Sequence, residues 1–276
     1  MELKTFRNNF LPTGMDKAQR DTVLSAIFGE VTGRDFVTSL VMGYELEADE
    51  LSKMNEYAAR VQKGEPVQYV LGKWDFMGRS FAVDERVLIP RADTELLCEL
   101  ALEHIASMGS DVRVLDLCTG SGCIGISISL DAKNASVFCS DISEDALCVA
   151  DENAKMLGAQ IEFIQSDMLT NCGVYDVIVS NPPYIPSSIV DELDTSVKNF
   201  EPRGALDGGD DGLDFYRIIA NEAKSHLTKN GALFLEIGYD QRESVCKLLK
   251  DRGYINIECY KDIAQNDRVI KCILKG

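Results

Sequence analysis

Hydrophobic positions change period along this chain and divide it into three textures. Up to residue 64 they recur at helical spacing: Val23, Leu24, Ile27, Phe28 and Val31, then, past Thr32-Gly33, Phe36, Leu40 and Val41. Leu46 and Leu51 lead into Met54, Tyr57, Ala58 and Val61, with no two-residue alternation between. This predicts a small helical domain over 1–66, closed by Gly64-Glu65-Pro66. Plain packing and a docking face for a macromolecule both suit it, and composition does not separate them. From 67 to 90 the texture turns to Tyr, Val, Trp, Phe and Met, with Gly72 and Gly78 between. Trp74-Asp75-Phe76 and Ser80-Phe81-Ala82-Val83 read as strands joined at Met77-Gly78-Arg79, a β-hairpin linker. A helix follows with apolar positions Leu96, Leu97, Leu100 and Ile105, and Asp93 or Thr94 as its cap.

From residue 111 strands and helices alternate. Strands are predicted at 112–116, 136–140, 161–164, 174–180, 232–236, 255–259 and 268–274, and helices near 124–130, 143–157, 213–227 and 241–251. Residues 185–211 form a loop-rich insert, long for a loop and expected to order on substrate binding. Alternation implies parallel pairing through right-handed crossovers, so the fold class is α/β: a doubly wound, mostly parallel, seven-stranded sheet over 91–276. A short loop joins the last two strands. They must form a hairpin, which makes the final strand antiparallel at or near the sheet edge.

Composition narrows the partners. The net charge is -17 with a pI near 4.5, which sets the chain against phosphate backbones as its main partner. Nine cysteines lie scattered in apolar positions, with no C-x-x-C pair and no signal peptide, as reduced thiols of a cytoplasmic protein would. With only His104 and His226 as histidines, no metal site is expected. No apolar run approaches membrane-spanning length.

Two stretches carry candidate chemistry. Val114 to Gly125 runs from strand to helix through Asp116, Cys118, Thr119, Gly120, Ser121 and Gly122. Its glycines match G-x-G-x-x-G, a weak dinucleotide fingerprint. Asp116 at the strand end and the lack of any basic residue in the turn disfavour a pyrophosphate. They suit an ammonium or sulfonium cation instead. Asp141 closes the next strand, placed to accept from ribose hydroxyls or to cap the following helix, a task Ser143 can also perform. Ser166-Asp167-Met168 follows the third strand. Asp167 suits an adenine amino group and Met168 the ring, or the three form a plain turn. Ribose, adenine, a cationic tail and no phosphate together describe S-adenosyl-L-methionine.

The second stretch is Asn181-Pro182-Pro183-Tyr184, directly after the fourth strand. Two prolines fix φ and remove two N–H donors, and Asn181, preceding a proline, is pushed to extended geometry. The corner is either a turn alone or a cradle for a planar NH2 group. As a cradle, the Asn181 side-chain oxygen and the Pro182 carbonyl accept the two hydrogens and the Tyr184 ring covers the face.

These motifs resemble the class I S-adenosylmethionine methyltransferases that modify planar amino groups, and more specifically the peptide chain release factor glutamine methyltransferase family. The supporting stretches cover most of the chain: Gly64 to Gly72, Phe76 to Arg79, Val87 to Arg91, Glu201 to Gly209, Asp211 to Leu213, Leu235 to Gly238 and Asp267-Arg268. The family usually has Gly where Cys118 stands and Pro where Ala92 stands, and Cys118 is expected to hold an ordinary φ. The resemblance implies a class I methyltransferase fold with an N-terminal substrate-docking domain. It implies methyl transfer to the glutamine amide nitrogen in the Gly-Gly-Gln loop of release factors. Asn181, Pro182, Pro183 and Tyr184 then face the substrate, with Arg91 beside them unless Arg91 is only a surface residue. Three rivals remain: an amino-methyltransferase of DNA or RNA using a basic patch of Lys73, Arg79, Arg86 and Arg91; a nicotinamide dehydrogenase; and a non-catalytic cofactor-binding module.

Overall fold

The computed structural model describes residues 1–12, 14–109 and 111–276. They fall into two compact units, Met1–Lys73 with Asp194–Phe200, and Trp74–Leu193 with Glu201–Gly276. The first unit carries α1 (Leu3–Asn9), α2 (Lys17–Thr32), α3 (Phe36–Val41), α4 (Ala48–Gln62) and α5 (Val67–Leu71). Asp16 and Asp35 cap α2 and α3 by accepting the backbone N–H of Gln19 and Thr38. Leu3, Leu24, Ile27, Phe28, Met54 and Val61 form its core. The hairpin linker expected from residue 67 therefore begins later. Residues 67–71 are helical, set between Pro66 and a left-handed Gly72, and Val70 joins the helical core. Packing overrides the β-rich composition of Val-Gln-Tyr-Val-Leu.

The hairpin consists of β1 (Lys73–Phe76) and β2 (Arg79–Ala82). Met77 and Gly78 both have positive φ, 49° and 69°, the signature of a two-residue hairpin turn. Arg79 consequently lies in the strand, not in the turn. Beyond it come α6 (Glu95–Ala106), β3 (Val112–Leu117), α7 (Cys123–Asp131), β4 (Ala135–Asp141), α8 (Glu144–Leu157), β5 (Ile161–Gln165) and β6 (Tyr175–Ser180). The insert after β6 holds α9 (Ser187–Val190), α10 (Thr195–Lys198) and a 3-10 turn at Arg203–Ala205. Its ends meet in a bridge between Ile185 and Asp207, so it is more structured than the loop-rich reading anticipates. The chain closes with α11 (Asp214–His226), β7 (Leu227–Glu236), α12 (Arg242–Asp251), β8 (Tyr254–Lys261) and β9 (Asp267–Leu274).

The seven-stranded sheet has the order β5-β4-β3-β6-β7-β9-β8. β9 is antiparallel to both β7 and β8, so the last strand lies one place in from the edge. Both faces of the central sheet are covered, which explains why β6 and the second half of β7 are buried at nearly every position. Leu97, Ile105, Ile124, Ile128, Val177 and Phe234 pack on one face. Leu115, Ile178, Tyr216, Ile219, Leu233 and Leu249 pack on the other. Among the described residues no helix is long and apolar enough to cross a membrane.

One buried polar side chain ties the hairpin to the sheet. Asn153 of α8 is fully buried. Its Oδ1 accepts from the Ala82 N–H at 2.7 Å, and its Nδ2 donates to the Ala82 carbonyl at 3.0 Å and the Ser121 carbonyl at 2.9 Å. Replacing it by Ala strands three backbone groups, two half-buried on Ala82 and one buried on Ser121. Asn153→Ala should lower unfolding free energy by about 2–4 kcal/mol, measured by urea denaturation.

Candidate active site

Strands β3 to β6 run parallel, so their carboxyl ends lie together on the side where open α/β sheets take ligands. Leu117 of β3 pairs with Ser140 of β4 and with Ser180 of β6. The Ser180 hydroxyl donates to the Leu117 carbonyl at 2.7 Å. The residues that follow these strands are thereby set side by side around a cavity of about 410 Å³, a volume typical of small-molecule sites. Of the residues singled out from sequence, Cys118, Gly120, Asp141, Ser166, Asp167, Met168, Asn181 and Pro183 line it. Asp116, Thr119, Ser121, Gly122, Pro182, Tyr184 and Arg91 lie outside the lining.

Asp116 is sealed beneath the turn instead of facing the cavity. It is fully buried, and its Oδ2 accepts from the Thr119 hydroxyl at 2.5 Å and the Gly125 N–H at 2.9 Å. Oδ1 has no partner among the described residues. Burial pushes its pKa up to about 7 against the pull of those two donors. Asp141 stays on the wall. Its Oδ2 accepts from the Gly120 N–H at 2.9 Å and its Oδ1 from the Ser143 N–H at 3.0 Å. The helix cap falls to Ser143, whose hydroxyl accepts from the Ala146 N–H at 3.1 Å. The Gly120 and Gly125 N–H groups, which a pyrophosphate would need, are thus held by carboxylates.

Cys118 has φ 61°, so the expectation of an ordinary φ fails. At this position the chain turns out of β3 in the left-handed region that favours glycine. Its thiol is raised by burial, with the nearby Asp141 charge adding to the effect.

The Asn-Pro-Pro-Tyr corner is gripped from behind. Pro182 and Pro183 are buried. The Tyr184 carbonyl accepts from Gln241 Nε2 at 2.9 Å, and its hydroxyl donates to Glu236 Oε1 at 3.3 Å. Gly208 permits the insert to lie against the corner: a Cβ there would come within 2.8 Å of Tyr184 Cα and 2.9 Å of the Pro183 carbonyl oxygen. Asn181 Nδ2 donates to Thr94 Oγ1 at 3.2 Å. Thr94, one of two candidate helix caps, makes no side-chain capping bond to α6. Arg91 pairs at 2.6 Å with Glu201, whose side chain is buried.

Several residues of the site escaped the sequence reading. Arg86, singled out from sequence only as part of a basic patch, lines the cavity, as do Val87, Leu88, Pro202, Gly204 and Ala205, to which the sequence reading gives no role in it. All but Arg86 lie in stretches that carry the family resemblance. Ile142 and Phe215 also line it. Ile142 is 64% exposed, an apolar side chain directly after the acid of β4, which is a signal available in the sequence. Phe215 and the buried Gln241 sit in ordinary helix and loop contexts and give none, while the buried Glu236 falls in the Leu235 to Gly238 stretch of the resemblance without a role assigned to it. The cations of the nucleic-acid reading do not form an open basic channel. Arg79 pairs with Asp131 at 2.6 Å, Arg86 with Asp84 at 2.6 Å and Lys73 with Glu30 at 2.7 Å, as Arg91 does with Glu201.

Comparison with known proteins agrees with this geometry. Residues 93–197 match the family described as methyltransferase small domain, and residues 3–72 match the PrmC N-terminal domain. A release factor glutamine methyltransferase of Clostridium acetobutylicum is 41% identical over 239 residues, 84% of this chain and 84% of the relative. One from Lactococcus lactis is 41% identical over 83% of this chain and 85% of its own. The chain belongs to the release factor glutamine methyltransferase family. A solved methyltransferase from Pyrococcus furiosus, 14% identical with a TM-score of 0.55 over 80% of this chain and 100% of its own, shares the fold. A release factor glutamine methyltransferase with Cys at position 118 differs from the family pattern at a left-handed residue, and this has a measurable consequence. Cys118→Val, β-branched at positive φ, should lose about 1–3 kcal/mol of stability, whereas Cys118→Gly should stay within about 1 kcal/mol of the parent in urea melts.

Proposed function

We propose that the protein transfers a methyl group from S-adenosyl-L-methionine to the side-chain amide nitrogen of the glutamine in the Gly-Gly-Gln loop of peptide chain release factors. The observation that carries the reading is the fixed Asn181 amide at the end of β6, beside a nucleoside-sized cavity whose wall carries Asp141. The donor set suits S-adenosyl-L-methionine better than a dinucleotide. Asp141 offers remaining lone pairs to ribose hydroxyls, Asp167 an acceptor to the adenine amino group, and Met168 an apolar surface to the ring. Arg86, a cation of the lining, is held by Asp84. When bound, S-adenosyl-L-methionine supplies a methyl group on a positively charged sulfur, an electrophile.

The protein's task is orientation. An amide nitrogen is a weak nucleophile because its lone pair is delocalised into the carbonyl. Asn181 Oδ1 accepts no hydrogen bond from any described residue, so it and the Pro182 carbonyl are available for the two hydrogens of the substrate NH2. Held at both hydrogens, the nitrogen turns its lone pair toward the methyl group, and the two acceptors stabilise the positive charge that grows on nitrogen. Tyr184 bounds the corner, its hydroxyl tied back to Glu236. No strong base is required at the nitrogen, because the extra proton leaves after transfer. The N-terminal helical unit, by this reading, docks the release factor.

The test is radiolabel transfer from S-adenosyl-L-methionine to purified release factor, with the label located by mass spectrometry. The parent should label the glutamine amide. Asn181→Ala should lose about 10²–10³-fold in turnover while donor affinity changes less than about threefold. Undiminished turnover in that variant, or label on another residue, overturns the proposal.

A further inference from the structure

Thr94 sits immediately before α6, where a threonine ordinarily caps the helix by accepting a backbone N–H. It makes no such bond, although it is 2% exposed. Its oxygen instead accepts from Asn181 Nδ2 at 3.2 Å. Burial raises the Glu236 carboxyl to about 7, and the Thr94 hydroxyl beside it pulls the other way, toward the ionised form. Glu236 is 1% exposed and firmly placed. Tyr184 donates to its Oε1 at 3.3 Å, and Tyr216 donates to its backbone carbonyl at 2.8 Å. Its Oε2 has no hydrogen-bond partner among the described residues, so it is a buried acceptor open to the hydrogen of Thr94. Arg268 is the charge that offsets it, itself shared with Asp262 at 3.1 Å and Asp93 at 3.2 Å.

A hydroxyl has one hydrogen and two lone pairs. With that hydrogen turned to the buried carboxylate, Thr94 offers Asn181 only lone pairs. Asn181 must then present its NH2 to Thr94, and its oxygen is left at the other end of the amide. A rotation of the amide by half a turn would bring two acceptors, oxygen against oxygen, into contact, and would aim a donor at the substrate's own NH2. We propose that Thr94, backed by Glu236, is a positioning residue for methyl transfer. It fixes which end of the Asn181 amide faces the substrate, and so rests on the role given to Asn181 above.

Thr94 is freed from capping, and its hydroxyl lies beside the two side chains it has to set. Because the hydroxyl does not cap, its removal costs α6 no hydrogen bond.

The test compares Thr94→Val, which keeps shape and loses the hydroxyl, with Thr94→Ser, which keeps the hydroxyl, and with Asn181→Ala. Each is assayed in steady-state methylation of purified release factor, with donor binding and thermal melting measured alongside. Thr94→Val should lower kcat about ten- to a hundredfold with KM for the release factor and donor affinity within about threefold, and Thr94→Ser should return kcat to within about threefold of the parent. Thr94→Ala carries the same comparison should the valine variant not fold. Parental kcat in Thr94→Val, or equal impairment of the valine and serine variants, overturns the positioning role. If Asn181→Ala is inactive while Thr94→Val is fully active, only that role falls. If Asn181→Ala is itself fully active, the role of Asn181 falls, and the positioning proposal with it.

Discussion

The hydrogen bond from the Ser180 hydroxyl to the Leu117 carbonyl, 2.7 Å long and buried, is the contact on which the site's geometry turns. It ties the ends of the two central strands at the point where each leaves the sheet. On one strand the chain then enters a tight glycine turn. On the other it enters two consecutive prolines with fixed φ and no N–H to donate. Neither segment can slide against its neighbour without breaking a buried bond. The prolines also leave the Pro182 carbonyl without the helix or ladder partners that an ordinary strand end would supply. Rigidity here is of the kind that orienting a weak nucleophile requires, since the barrier is lowered by geometry more than by proton transfer.

Behind this front the molecule places two buried carboxylates, Asp116 and Glu236, and a third, Asp141, half-buried on the cavity wall. Asp116 closes the glycine turn on itself, Asp141 holds the turn to β4, and Glu236 backs the corner. Burial raises Asp116 and Glu236 to about 7 and shifts Asp141 upward as well. All three act mainly as acceptors for backbone or hydroxyl donors, so each fixes the direction of a neighbouring group. The large negative charge of the chain is in this part structural. It is balanced locally by Arg268 beside Glu236, while Arg86 of the cavity lining and Arg91 are each held in an ion pair.

Much of this was legible in the sequence because the signals are local. Strand-helix alternation gave the sheet, the short final loop gave the antiparallel strand, and Asn181-Pro182-Pro183-Tyr184 announced a stiff corner wherever it fell. What stayed hidden depends on contacts between distant residues. Val67–Leu71 reads as β by composition and is helical because Val70 enters a core built by α2 and α4. Cys118 looks like an ordinary residue until the turn forces φ to 61°. Thr94 looks like a cap, and only the arrival of Asn181 and Glu236, 87 and 142 positions later, gives its hydroxyl another partner. Gln241 grips the corner from a loop whose sequence carries no sign of it.

The most direct measurement is a crystal structure of the protein with S-adenosylhomocysteine and a peptide containing Gly-Gly-Gln. The expected result is the glutamine amide nitrogen within about 3.2 Å of both Asn181 Oδ1 and the Pro182 carbonyl oxygen, with Asn181 Nδ2 still on Thr94. A peptide amide bound elsewhere, or an Asn181 that turns its NH2 toward the peptide, would contradict it.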